Sequence, residues 1–182
     1  MGADALERAQ QTFVRRWGEM GATWGISRTM AEVHALLFIT GDPLCTDDIM
    51  QMLQISRGNA SMNLRQLVNW GLIRRTHLRG DRKEYFISDL DTWQMFETIT
   101  RERRRREVGP IIDTLKQCRS DLAGDTPKLE KERQQKAADC DKKLQDMLDF
   151  INTLDVMLDA VLSSGSEQIG MLSAAISSTV KR

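Results

Sequence analysis

A chain of 182 residues can bury one sizeable core, or a small domain followed by a long helical extension. Its composition, 41% hydrophobic and 29% charged with zero formal net charge, excludes a disordered chain and a uniformly basic nucleic-acid binder. Apolar runs such as Ala35 to Ile39 fall far short of the roughly 20 residues that span a bilayer, and no basic-then-apolar leader opens the sequence, so a cytoplasmic protein without membrane contact is expected. Cys45, Cys118 and Cys140 are odd in number and widely spaced, and His34 and His77 are the only histidines. That set suits neither a disulfide framework, nor a zinc site, nor a cysteine–histidine nucleophile, so no catalysis, metal or cofactor is expected.

Residues 4 to 24 carry Leu6, Ala9, Phe13, Trp17, Met20 and Trp24 at three- and four-residue steps, the spacing of an amphipathic helix. Gly25 ends it. Ser27 or Thr29 can cap a second helix, the latter with Glu32 in a capping box, and Met30, Val33, Leu36 or Leu37, and Ile39 form its apolar face. After the turn Gly41-Asp42-Pro43, Thr46 is expected to cap a short helix through about Leu53, with Ile49, Met50 and Leu53 inward. Gln54 and Ile55 lead to the next cap, Ser56. The helix from Arg57 to Trp70 sets Ala60, Leu64, Leu67 and Val68 on one face and Gly58, Asn59, Ser61, Met62, Arg65 and Gln66 on the other, and Gly71 stops it.

Leu72 to Leu78 and Glu84 to Ser88 read as a β-hairpin with a charged turn, Arg79-Gly80-Asp81-Arg82. Helical spacing resumes from Asp91 through Trp93, Phe96 and Ile99 into the arginines 101 and 103 to 106, until Gly109 and Pro110 interrupt it and start a new helix. Gly124-Asp125-Thr126 suggests a linker before Pro127. Beyond it Cys140, Leu144, Met147, Ile151, Leu154, Leu158 and Val161 alternate by four and three, a heptad seam supplemented by Leu148, Met157 and Leu162. A weak last helix follows Ser163. Whether the seam closes between two chains, or within one against Ile111, Ile112, Leu115 and Leu122, is left open by the spacing.

Helix, helix, short helix, tight turn, capped helix and hairpin is the order of a winged helix-turn-helix. Between Gln54 and Lys83, Arg57, Arg65, Arg74, Arg75, Arg79, Arg82 and Lys83 face the single acid Asp81, a local basic footprint of the kind that phosphate requires. The helix from Arg57 fits a major groove with its polar face free: Gly58 and Ser61 permit close approach, Asn59 and Gln66 can bond bases, and Arg65 can bind guanine or phosphate. Thr46, Ser56, Arg57 and Met62 complete that candidate DNA face, and the tip residues Arg79, Arg82 and Lys83 suit a backbone or minor-groove contact.

The run I-S-R-G-N-A-S-M-N-L-R-Q-L-V-N-W-G-L-I-R-R from Ile55, followed by R-G-D-R-K-E-Y-F, resembles the multiple-antibiotic-resistance regulator (MarR) superfamily, and within it the branch of the glycine betaine synthesis regulator. The resemblance covers about Leu6 to Arg106. It implies a dimer held by N- and C-terminal helices, two winged domains on a palindromic operator, repression, and in many members a small-molecule effector. Together these readings give a mainly α protein with a small β-hairpin: an N-terminal helix contributing to dimerisation (1–25), a winged domain (26–90), connecting helices (91–126) and a C-terminal dimerisation region (127–182). Phe13, Trp17, Leu144, Met147, Ile151, Leu154, Leu158 and Val161 are the candidate dimer contacts. The alternative is a winged-helix interaction or scaffold protein that uses its coiled coil for a partner.

Other features have plainer explanations. The arginine block can be a solvated helix face paired with Glu102 and Glu107. Trp17, Trp24, Trp70 and Trp93 suit core packing better than an effector pocket. Asn63, at the edge of the buried face, can brace the helix through its amide.

Overall fold

The computed structural model describes residues 4–88, 91–126 and 130–164. They belong to two compact units, Met1–Ile99 and Thr100–Arg182. Among the described residues no helix is long and apolar enough to cross a membrane.

The first unit is a winged helix-turn-helix. Helix α1 (Ala5–Thr23) starts where the Asp4 carboxylate accepts the Glu7 N–H at 2.8 Å, and lies along α2 (Arg28–Thr40). Their approach depends on small residues: a Cβ added at Gly21 would stand 2.6 Å from the Ala31 Cβ. Ser27, not Thr29, caps α2, its hydroxyl accepting the Met30 N–H; Glu32 instead accepts from Arg28 at 2.8 Å. Helix α2 is buried almost all round, so the single-face expectation was too narrow. Ala31, His34 and Ala35 join Met30, Val33, Leu36 and Leu37 inside, while Ile39 near the helix end is exposed, as is Trp24 beyond the end of α1.

Strand β1 (Leu44–Cys45) precedes α3 (Thr46–Leu53), which packs on α4 (Arg57–Trp70). The expected cap at Thr46 is displaced by one residue. Cys45 holds the extended conformation of β1 and is the N-cap, its N–H donating to the Asp48 carboxylate at 2.9 Å, so Thr46 is the first helical residue. Hydrogen bonds from the Cys45 thiol and then from its N–H hold the Asp48 carboxyl below the usual carboxylate range. The hairpin strands β2 (Arg74–Thr76) and β3 (Tyr85–Ile87) are shorter than the sequence pattern suggested, and β3 is central in the order β1-β3-β2. Two residues, Leu44 and Cys45, were too few to show a period, which is why this third strand went unread. The core gathers Met30, Val33, Leu37, Ile49, Leu64, Leu67, Trp70, Leu72, Ile73 and Phe86, joined by Met95 from α5 (Thr92–Arg103).

In the second unit the chain stays helical where a break at Gly109 and Pro110 was expected. Residues Arg104–Val108 form a wide π-turn, with the Gly109 N–H donating to the Arg104 carbonyl five residues back, and α6 (Gly109–Asp125) continues from it. Val108 and Gly109 both keep right-handed helical angles, and Pro110, which has no N–H to place, sits in the first turn of α6, where the expected new helix begins. Gly124 and Asp125 belong to α6 rather than to a linker, and the Thr126 hydroxyl closes the helix on the Leu122 carbonyl at 2.6 Å. Helix α7 (Lys131–Ser163) follows α6 in the chain and packs against it. The proposed last helix and Pro127 lie outside the described residues.

Candidate nucleic-acid interface

Helix α4 is set by three sequence devices. Ser56 caps it, accepting the Asn59 N–H at 3.3 Å; Ala60, Leu64, Leu67 and Trp70 anchor its inner side; and Gly71 ends it at φ 76°, which a residue with a Cβ rarely adopts. Its outer side presents Gly58, Met62 and Arg65 exposed, with Asn59, Ser61 and Gln66 half-buried. Nothing stands within 4 Å of a Cβ built on Gly58, so the first turn of the helix is open to a close neighbour. Arg65 lies back along the helix, its Nε donating to the Ser61 carbonyl at 3.3 Å. Arg57 is exposed and paired with Asp47 of α3, so its charge is partly neutralised in the free chain. Thr46 is half-buried at the start of α3.

The wing is shaped by Asp81. Its carboxylate accepts the Lys83 N–H at 2.9 Å and the Tyr85 hydroxyl at 2.7 Å, and Gly80 turns the chain at φ 88°. These bonds hold the Asp81 carboxyl low and, by stabilising the protonated phenol, push Tyr85 up to about 12. The one acid of the basic segment is thus occupied in forming the turn, while Arg79, Arg82 and Lys83 are all exposed around it. Across the strands Arg75 pairs with Glu84 at 3.4 Å. Ser88 ties the base of the wing to the domain, its hydroxyl donating to the Leu72 carbonyl at 3.2 Å.

Asn63 is the site feature that sequence reasoning left at a boundary. It is fully buried, and its Nδ2 donates to both the backbone carbonyl and the side-chain oxygen of Asn59, at 2.8 and 2.6 Å. Its helical phase beside Ala60, Leu64 and Leu67 was the available signal.

Phe13 and Trp17, read as dimer contacts, are half-buried against the core of their own unit; their rings stand 5.4 Å apart, and Trp17 lies 6.4 Å from His34. Along α7 the expected seam divides between two faces. Ala137, Leu148 and Leu162 are buried, with Leu144, Ile151 and Leu158 half-buried on the same side. Met147, Leu154 and Val161 stand exposed on another, where Phe150 and Met157 join them. The residues 147, 150, 154, 157 and 161 make their own three-four alternation, a second stripe that the strongest seven-residue match concealed by taking members from both. Acidic residues mark the inner face: Asp155 and Asp159 bind Arg104, and Asp141 accepts from Arg119 at 2.7 Å. Arg103 and Arg105 pair with Glu107 and Glu102, as a solvated helix face does. Trp70 is core, Trp93 lies 5.5 Å from Phe96, and Trp24 is exposed.

Residues 24–84, from the end of α1 to the wing, match the model of the MarR family. The MarR-type segment thus contains the whole of α2 to α4 and most of the wing. Among curated proteins of Bacillus subtilis (strain 168), the chain is similar to the HTH-type transcriptional repressor GbsR, 23% identical over 118 residues, 65% of each protein's length. It is also similar to the HTH-type transcriptional repressor OpcR, 19% identical over 96 residues, 53% of this chain and 52% of that protein, and to YvaV, 20% identical over 155 residues, 85% and 88%. A crystal structure of a transcriptional regulator shares the fold at a TM-score of 0.59 and 20% identity, covering 85% of this chain and 96% of that one.

Proposed function

We propose that this chain is a MarR-type, sequence-specific DNA-binding transcriptional regulator that acts as a homodimeric repressor on an inverted-repeat operator. The observation that carries the reading is the pairing, within one unit, of a capped helix whose outer side is polar and open with a wing whose tip acid, Asp81, is folded into its own turn and whose other acid, Glu84, pairs with Arg75. Helix α4 then reads base edges through Asn59, Arg65 and Gln66, with Gly58 and Ser61 allowing close approach and Met62 adding apolar contact on the same face. Thr46, Ser56 and Arg57 sit at the phosphate edge of that groove, and Arg79, Arg82 and Lys83 reach the neighbouring backbone or minor groove. GbsR and OpcR, by name transcriptional repressors, support the same reading.

The exposed stripe of α7 supports the dimer. Met147, Phe150, Leu154, Met157 and Val161 leave an apolar ridge along one helix, and burial against the same ridge of a second copy removes it from water. A small-molecule effector modulating DNA affinity completes the proposal.

Selection of bound duplexes from a random pool by the full chain tests the reading. An enriched motif bound at least about a thousandfold more tightly than bulk DNA, in a salt-sensitive way, is the expected result. Arg65→Ala should lower affinity for that motif by about 1–3 kcal/mol if the guanidinium bonds a base. Absence of any enriched sequence, with affinity equal on all duplexes, contradicts the proposal and favours a protein-interaction module.

A further inference from the structure

Two amides on α4 are locked to each other in an order that only one end can dictate. Asn63 Nδ2 lies 2.8 Å from the Asn59 backbone carbonyl and 2.6 Å from the Asn59 side-chain oxygen, and Asn63 is buried. A backbone carbonyl can only accept. It therefore fixes the Asn63 amide with its NH2 toward Asn59, because the reverse orientation would set two oxygens against each other. That NH2 in turn fixes Asn59, whose own NH2 would otherwise face another donor. The cost is visible: Asn63 Oδ1 is left buried without a hydrogen-bond partner.

We propose that Asn63 is a positioning residue for DNA reading, which holds Asn59 with its oxygen inward so that Asn59 meets the groove as a donor. This rests on the DNA-binding reading above and deepens it to a base preference. Asn59 is the third residue of α4, in the turn that faces base edges when such a helix enters the major groove. An asparagine free to use both atoms pairs bidentately with adenine, accepting from N6 and donating to N7. With Oδ1 turned inward onto the Asn63 NH2, it is held away from the base edge where adenine N6 would donate, and the outward NH2 suits guanine, whose N7 and O6 are adjacent acceptors. The inward bond thus converts an adenine reader into a guanine reader. Its consequence is a single position in each half-site where guanine outcompetes adenine.

The test is selection from a random duplex pool, run in parallel with the full-length wild type and with Asn59→Ala, Asn59→Asp and Asn63→Leu. Melting is followed by circular dichroism. The wild type should enrich guanine over adenine at one position per half-site, by roughly three- to tenfold for a contact of one or two hydrogen bonds. Asn59→Ala, at a half-buried surface position that tolerates truncation, should flatten that position and leave the others unchanged. Folded Asn63→Leu should flatten the same position. Asn59→Asp keeps one oxygen on Asn63 and turns the other outward, so preference should move to a base that presents an amino group.

A wild type that enriches a motif in which Asn59→Ala alters no position overturns this proposal and leaves the regulator reading standing. So does an Asn63→Leu variant that keeps the guanine preference, or one that melts lower and weakens all sequences equally, as a mere brace would. A wild type that enriches no motif overturns both.

Discussion

Helix α4 and helix α7 treat their apolar residues in opposite ways. Helix α4 turns Ala60, Leu64, Leu67 and Trp70 into the core and exposes one large hydrophobic residue, Met62, on a polar surface. Helix α7 buries Ala137, Leu148 and Leu162 yet leaves Met147, Phe150, Leu154, Met157 and Val161 exposed. A helix that completes its packing within the chain can devote its outer face to chemistry. One that presents a second apolar stripe is built as half of something. In the proposed function the two regions take different work: the winged unit reads, and the long helix assembles.

The contrast predicts that the winged unit fails through its core. Leu64 is fully buried, and Leu64→Ala should destabilise by about 2–5 kcal/mol, the cost of a lost side chain plus the cavity it leaves. Chemical denaturation checks this; a loss below about 1 kcal/mol would show that α4 is only loosely seated.

His34 sharpens the same point through pH. Burial among Trp17 and Phe38, with Nε2 unpartnered, pushes it down from 6.5 to about 4, so it is neutral in the folded chain. Above the unfolded value both states are neutral and His34 contributes nothing. As pH falls from about 6.5 to about 4 the unfolded chain takes up a proton that the folded chain refuses, and stability falls by on the order of 3 kcal/mol. His34→Leu should abolish that acid limb while leaving others; denaturation at pH 7.5 and pH 4.5 compares the two. An unchanged limb would assign it to other groups.

Assembly is tested on the other side of the comparison. Leu154→Asp places a charge in the exposed stripe and should halve the mass seen by light scattering without lowering the melting of the winged unit. Ile151→Asp is less informative, because Ile151 is half-buried on the inner face and its loss also disturbs packing within the second unit. The smallest stability change belongs to the wing tip. Replacing Arg79, Arg82 and Lys83 by alanine should move stability by no more than about 0.5 kcal/mol while weakening binding to all duplexes and lowering the salt slope by up to about three units. A large melting shift would make the tip structural.

The winged unit was legible because its signals are local. Ser56 as a cap, Gly71 as a stop and the period of Ala60, Leu64 and Leu67 define α4 without reference to anything distant, and the arginines around Asp81 mark the wing. What escaped was set by tertiary pairing. Strand β1 exists only because β3 lies beside it, and that strand is what moves the cap from Thr46 to Cys45. The same limit applies to α7, where two apolar stripes share one helix and only packing on α6 tells the inner from the outer. Gly109 and Pro110 did mark the start of α6, as expected; what the sequence hid is the π-turn that carries the chain into it without a break, which needs the backbone to be seen.

The most direct measurement is the mass and symmetry of the complex between the full chain and its selected duplex. The account predicts two chains on one duplex, over an inverted repeat whose half-site centres lie roughly 10 base pairs apart, one turn of DNA. A well-folded single chain bound at full affinity to one asymmetric site would contradict it.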